Sequence, residues 1–333
     1  LNNKYIMSKK ALITGITGQD GSYLSEFLLK KKYKVHGLVR RVALEDSSHR
    51  LWRLRHLLNK ITLHPGSLES YASLVKLIQK IKPDEVYHLG AQSFVDYSFK
   101  DEFSTLNTNI NGTHYILSAL KEFSPKTKFY FAGSSEMFGK VRQVPQSEKT
   151  PFYPRSVYGI SKVAGYDLTR NYREAYNMFC CSGILFNHES PRRGFEFVTR
   201  KITHAVARIK FGLQKDLKLG NIESKRDWGH AEDYVEAMWL MLNRRKPDDY
   251  VISTGKQYSV KDFVKLAFQM VDLDYRKYVE IKKELFRPSE VRTLLGDCRK
   301  AKRELKWKPK YNFKSLVKDM VRADLDFVEK QGY

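Results

Sequence analysis

Cysteine is scarce. Cys180, Cys181 and Cys298 are the only three in 333 residues, and they show neither metal-ligand spacing nor a framework of pairs. With no disulfides and no secretion signal, the expected location is the cytoplasm. No apolar run approaches the roughly 20 residues of a membrane span, so no membrane partner is expected. Residues 1–6 lack the apolar core of a signal peptide; they read as a vector-derived or disordered lead-in, with Met7 the expected natural start. Low-complexity segments and long linkers are missing as well. Acidic residues are outnumbered, 37 against 60 lysines and arginines, for a formal net charge of +23. That balance raises nucleic acid as a partner. The lysines, however, are spread along the chain, and no basic block is interleaved with stacking aromatics, so no nucleic-acid partner is expected. What is present, 42% hydrophobic residues over this length, suits a large α/β domain with a smaller one.

The first organised stretch is a short apolar strand over 11–14. It runs into Gly15, Thr17, Gly18, Gln19, Asp20 and Gly21, and then into an amphipathic pattern that predicts a helix over 22–31. Strand, glycine turn and helix in that order suit a dinucleotide: glycines let backbone approach a pyrophosphate, and the helix N-terminus supplies N–H donors. A second strand over 33–39 ends at Arg40 and Arg41, where an acid is common in NAD enzymes. Two guanidinium groups suit a 2′-phosphate, which favours NADP. The pattern repeats, with a helix over 50–58, a strand over 61–64, a helix over 71–81 and a strand over 85–89. A helix over 105–120 carries Asn107, Asn109 and Asn111, and a strand covers 128–132. Alternation of this kind means a doubly wound parallel sheet, a Rossmann-type α/β fold.

The strand over 128–132 ends in Ser134 and Glu136, and ligands bind at strand C-termini in such sheets. Tyr158 and Lys162 follow, four residues apart on one helix face. A phenol loses its proton near pH 10, and a fixed ammonium favours the phenolate, so this spacing predicts a tyrosine base. Ser134 can hydrogen-bond a substrate oxygen. Glu136 adds a second acid/base that simple alcohol oxidation does not require. Beyond Gly194 the pattern is less regular, as a substrate-capping region would be. Arg226 beside Trp228, and Arg287 near Glu290, could clamp a diphosphate and read a guanine or ribose edge. The expected division is a cofactor domain over 7–190 and a mainly substrate-binding region over 191–333, with some segments returning to the first domain.

These motifs together resemble the extended short-chain dehydrogenase/reductases, and more narrowly the GDP-mannose 4,6-dehydratases. The resemblance rests on GITGQDGSYL over 15–24, VRR over 39–41, LGAQS over 89–93, SSE over 134–136 and PFYPRS over 151–156 with Tyr158 and Lys162. It continues in NHESPRR over 187–193, KRDWG over 225–229 and RPSE over 287–290. It implies that Ser134 (usually threonine in the family), Glu136, Tyr158 and Lys162 are catalytic. It also implies NADP contacts from Gly15 to Gly21, Arg40, Arg41, Ser67, Leu68, Leu89, Gly90, Ala91, Gln92, Ser93, His188 and Arg193. The sugar nucleotide would meet Ser93, Glu136, Asn187, Val198, Lys201, Arg226, Arg287 and Glu290. A homodimer or homotetramer and no metal are implied. Departures from the family pattern stand at Val42 and Ala43, where serines are usual, at Ser67, where an aspartate is usual, and at Ser104, where a tyrosine near the cofactor is usual. Kindred readings are the same dehydration on a GDP-manno-heptose, and an epimerase or 4-reductase on the same fold.

Overall fold

The computed structural model describes residues 8–286, 289 and 291–331. The lead-in reading of residues 1–6, the start at Met7, and the expectations for Arg287 and Glu290 lie outside those residues.

The sheet begins with β1 (Lys10–Thr14), whose Ala11, Leu12 and Ile13 are all buried. A continuous apolar run of this kind marks a strand covered on both faces. β2 (Lys34–Val39), β3 (Thr62–Pro65), β4 (Glu85–His88), β5 (Lys128–Ser134) and β6 (Cys180–Leu185) follow. A later strand, Tyr250–Ile252, pairs with β6 and closes that edge. All seven strands are parallel, in the order Tyr250–Ile252, β6, β5, β4, β1, β2, β3. The order reverses between β1 and β4, which opens a crevice at their carboxyl ends.

Helices cover both faces. On one side Leu24, Leu28, Val235, Met238 and Met241 pack with Ile13, Tyr87 and Tyr130. On the other, Leu77, Ile78, Ile116 and Leu120 pack with Leu12, Val86, Phe129 and Phe131. A third apolar cluster stands apart from the sheet. There Ile202, Val206, Phe263, Phe268, Val317 and Met320 join the helices Val198–Lys210, Val260–Gln269 and Phe313–Gln331. Among the described residues no helix is long and apolar enough to cross a membrane, and no cluster of three or more potential ligands suits a metal.

The structure differs from the sequence expectation in three places near the site. The first helix, α1 (Gln19–Lys30), starts three residues before the predicted position 22, so Gly21 lies inside it. A Cβ on Gly21 would sit 2.4 Å from the Gly15 oxygen, so only glycine lets the helix begin against the turn. Residues 50–58 hold not one helix but a 3₁₀ stretch, Trp52–Leu57, after two short turns of helix. The helix expected over 105–120 runs from Glu102 to Phe123 and contains a π turn over Asn107–Asn111. Apolar periodicity cannot reveal that extra residue; the buried Asn109 amide, which needs partners inward, accompanies it.

Candidate active site

Gly15 adopts φ +72°, and a Cβ there would lie 2.7 Å from the Gly90 nitrogen. The turn after β1 therefore touches the end of β4, and any side chain would separate them. The Gly18 N–H donates to the Gly15 oxygen at 3.0 Å, and Gly18 caps α1. The result is a helix N-terminus aimed along an open crevice of about 830 Å³. Ala91, Ser93, Ser134, Glu136, Tyr158 and Lys162 border the same crevice from the ends of β4 and β5 and from the long helix Val157–Tyr176.

That long helix is placed by short contacts. The Ser156 hydroxyl accepts from the Gly159 N–H at 3.0 Å, which caps its N-terminus. A Cβ on Gly159 would lie 2.8 Å from the Glu136 backbone oxygen, so the helix rests directly on the turn that follows β5. Lys162 Nζ donates to the Ala132 oxygen at 2.8 Å and lies 5.8 Å from the centroid of the Tyr158 ring. Burial pushes the Tyr158 phenol up to about 12, against a lowering hydrogen bond from Ser134. Burial likewise pushes the Lys162 ammonium down to about 8. The expected lowering of Tyr158 by Lys162 is not seen: desolvation penalises both charged forms, and the ammonium is engaged by a carbonyl. The Ser134 hydroxyl also accepts from the Glu136 N–H at 3.2 Å, which fixes the acid beside it. Asn109, in the π turn, braces this arrangement. Its Nδ2 donates to the Ser161 hydroxyl at 2.9 Å, and its Oδ1 accepts from the Gln92 N–H at 2.8 Å.

The opposite wall is tied to the glycine turn. His188 Nε2 lies 2.7 Å from Asp20 Oδ2, and His188 Nδ1 lies 2.8 Å from the Phe186 oxygen. Burial opposes both charges, yet each partner's charge prevails: the Asp20 carboxyl is lowered and the His188 imidazole raised. Gln19 donates to the His188 carbonyl at 3.1 Å and accepts from the Ser190 hydroxyl at 2.8 Å. Asn187 Oδ1, on the rim, and Gln92 Oε1, nearby, are buried acceptors without a partner among the described residues. A glycine cradle, a helix N-terminus and an orphaned amide oxygen on the rim fit a dinucleotide.

A second crevice, about 1440 Å³, opens from the first. Ser93, Glu136, Tyr158, Asn187 and Arg193 border both. Its outer wall includes Val198, Lys201, Arg226 and Trp228, from outside the sheet. Burial lowers the Lys201 ammonium, which a bound anion would reverse.

A family model described as GDP-mannose 4,6 dehydratase matches residues 12–320. The chain belongs to that family. It is 52% identical to GDP-mannose 4,6 dehydratase 1 of Arabidopsis thaliana over 335 residues, which covers 97% of this chain and 91% of that protein. It is 47% identical to the Homo sapiens GDP-mannose 4,6 dehydratase, covering 96% of this chain and 92% of that one. Solved structures of the same fold include a UDP-glucose 4-epimerase from Thermotoga maritima (TM-score 0.84, 22% identity, covering 97% of this chain and 100% of that one). A dTDP-glucose 4,6-dehydratase from Streptomyces venezuelae also shares it (TM-score 0.84, 20% identity, covering 97% and 98%).

Within this GDP-mannose 4,6-dehydratase family member, the expected residues divide. The first crevice gathers Gly15, Gly18, Gln19, Asp20, Gly21 and Leu89, with His188 and Arg193 facing them. Thr17, Gly90 and Gln92 stand behind its lining; the Thr17 carbonyl accepts from Arg53 Nη1 at 3.3 Å. Ser67 and Leu68 lie outside both crevices, with Leu68 packed under Gly90 and Gly112. Arg40 and Arg41 are exposed beyond the end of β2, and Arg41 Nε is held by Glu45 at 2.7 Å. The sequence reading passed over Arg53, Glu189 and Asn109. Asn109 had a signal, three asparagines at alternate positions, but that spacing points to no single helix face.

Proposed function

We propose that the protein is a GDP-mannose 4,6-dehydratase, converting GDP-D-mannose to GDP-4-keto-6-deoxy-D-mannose and water. The observation that carries this reading is Glu136. A simple dehydrogenase needs one base, yet here a carboxylate borders both crevices beside Ser134 and Tyr158. We assign residues 7–190 mainly to the cofactor and 191–333 mainly to the GDP-sugar. A nicotinamide dinucleotide, held by the glycine turn, Asp20, His188 and Arg193, would supply a reversible hydride acceptor and is neither consumed nor replaced.

Tyr158 takes the proton of the sugar 4-hydroxyl as the C4 hydride departs; burial holds its phenol up at about 12 without ligands, and the positive charge that an oxidised nicotinamide would bring beside Lys162 favours the phenolate this step needs. Lys162, donating to the Ala132 oxygen, orients that helix turn and offers a positive charge to the phenolate. Ser134 hydrogen-bonds the developing 4-ketone. The ketone acidifies C5, and Glu136 removes that proton. Glu136 then returns a proton to the departing C6 oxygen, with Ser134 on the same path, and water leaves. With the hydride restored to C6, which the bound nicotinamide would supply, the proton held by Tyr158 returns to C5 and the phenolate is regenerated, so the balance is one water lost. Lys201 and Arg226 are assigned to the diphosphate, and Asn187 and Val198 to the sugar end of the site. NADP is the preferred form, supported by Arg40 and Arg41. A homodimer or homotetramer working in the cytoplasm completes the reading.

Incubation with GDP-mannose and NADP tests it directly. Mass spectrometry should show a product 18 Da lighter with the nicotinamide absorbance unchanged at the end. Unchanged GDP-mannose would overturn the assignment. Glu136→Gln should abolish that product while the protein still binds both ligands; full turnover by this variant would remove the dehydration mechanism.

A further inference from the structure

The strand Asn187–Glu189 passes between the two crevices, parallel to Trp228–His230. Its last residue, Glu189, is only 2% exposed. Glu189 Oε2 accepts from the Thr199 hydroxyl at 2.6 Å and lies 3.0 Å from Arg193 Nε. The second contact is an ion pair off the hydrogen-bond line, and among the described residues Arg193 Nε remains a buried donor without a hydrogen bond. The guanidinium lies over the Phe197 ring, 3.6 Å from its centroid, and Phe197 meets Phe94 edge-on at 5.5 Å. Arg193 borders both crevices, whereas Glu189 and Thr199 border only the second.

Stability alone gives little reason to bury this carboxylate. A buried ion pair commonly contributes no more than apolar packing would, because desolvation offsets the attraction. Orientation is a better reason. A guanidinium recognises phosphate through a planar fork, so its plane must be set before the ligand arrives. Here a ring sets one face and a carboxylate sets the Nε side, and the Nη edge is engaged by neither of them. We propose that Glu189 is a positioning residue: it holds Arg193 at the junction so that one guanidinium serves anionic groups of both the dinucleotide and the sugar nucleotide. The inference rests on the proposed function for the identity of the second ligand, but not for the first.

The test compares E189Q with the unchanged protein. The amide keeps an acceptor for Thr199 and removes the charge that holds Arg193. The Kd for NADP, titrated without substrate, should rise about tenfold, the KM for GDP-mannose should rise by a similar factor, and kcat should stay within about threefold. The pH profile of kcat should not move. A fall in kcat with both binding constants unchanged would overturn the proposal, as would tighter NADP binding, which marks Glu189 as mere charge screening. If E189Q does not fold, T199V reads the same point, since it leaves every charge and removes only the hydroxyl that orients Glu189. It should weaken both ligands about threefold, and an unchanged, folded T199V would equally overturn the proposal. If the unchanged protein fails to turn over GDP-mannose, the proposed function fails, while the NADP titrations still decide the role of Glu189.

Discussion

The two crevices are built differently. The first is framed by strand ends, a glycine turn and a helix start, and its side chains are locked to one another: Asp20 to His188, Gln19 to Ser190, Lys162 to the Ala132 oxygen. The second takes its inner wall from the same residues, but its outer wall comes from a helix and loops outside the sheet. On the proposed function, the crevice assigned to the resident cofactor is thus the more heavily cross-linked one, and the crevice assigned to the transient sugar nucleotide is assembled from parts that can be altered separately. Changes in the first crevice should cost chemistry or stability; changes in the outer wall of the second should cost substrate affinity alone.

Tyr158→Phe should give the largest effect. Loss of the phenol removes the base, and kcat should fall by about 10³-fold with NADP affinity unchanged. Steady-state kinetics beside a cofactor titration check this. A variant that lost cofactor instead would show that the tyrosine holds the ligand rather than moves its proton.

The carboxyl end of β4 should be sensitive to acid. His88 is 2% exposed, with Nδ1 2.8 Å from Thr14 Oγ1 and Nε2 3.1 Å from Thr113 Oγ1. Burial, with help from the Lys162 charge, pushes its imidazole down to about 3. The folded value is below the unfolded one, so the stability it contributes is present above the unfolded pKa near 6.5 and lost as pH falls toward 3. At pH 5 the unfolded histidine is mostly protonated and the folded one is neutral, a difference of about 2 kcal/mol relative to neutral pH. Urea unfolding at pH 7 and pH 5 should show that loss in the unchanged protein. His88→Asn, though less stable at pH 7, should show a drop smaller by about 2 kcal/mol; equal drops would mean that other groups carry the acid response.

Most of the first crevice was legible in the sequence because its residues lie where chain order meets sheet order. Gly15, Gly18 and Gly21 mark the turn after a strand, and Ser134 and Glu136 follow another strand directly. The alternation of strands and helices along the chain gave the parallel sheet. The starting point of α1 was harder to read, since whether Gly21 belongs to turn or helix depends on its 2.4 Å approach to the Gly15 oxygen. The same holds for Asn109, whose partners Gln92 and Ser161 are distant in sequence. Glu189 was quoted only as part of a run, because its role is defined by Arg193 and Thr199 around it. In the outer wall Arg226 beside Trp228 had a signal of its own, but Val198 and Lys201 were read from the resemblance and not from pattern: a lysine such as Lys201 on an amphipathic helix looks like any solvated lysine until the fold brings it to the crevice.

Lys201→Ala probes that outer wall. Its KM for GDP-mannose should rise about tenfold while NADP affinity and kcat stay close to their original values, as expected for a phosphate contact made equally in the ground and transition states. A parallel loss of NADP affinity would erase the distinction between the crevices.

The smallest effect should come from the arginines at the end of β2. Arg41 Nε is paired with Glu45 at 2.7 Å, and the two side chains are 85% and 55% exposed. Exposed pairs of this kind contribute well under about 1 kcal/mol and are screened by salt. Arg41 is therefore available to a 2′-phosphate at little cost, and Arg40 beside it can add a second contact. Replacing both with serine should lower the preference for NADP over NAD by about tenfold at low ionic strength and by less at high salt, with NAD affinity unchanged. An NADP preference that survives the double replacement would shift the 2′-phosphate contact to another cation near the glycine turn. Arg53 would then be first in line, since it already donates to the Thr17 carbonyl in the glycine turn.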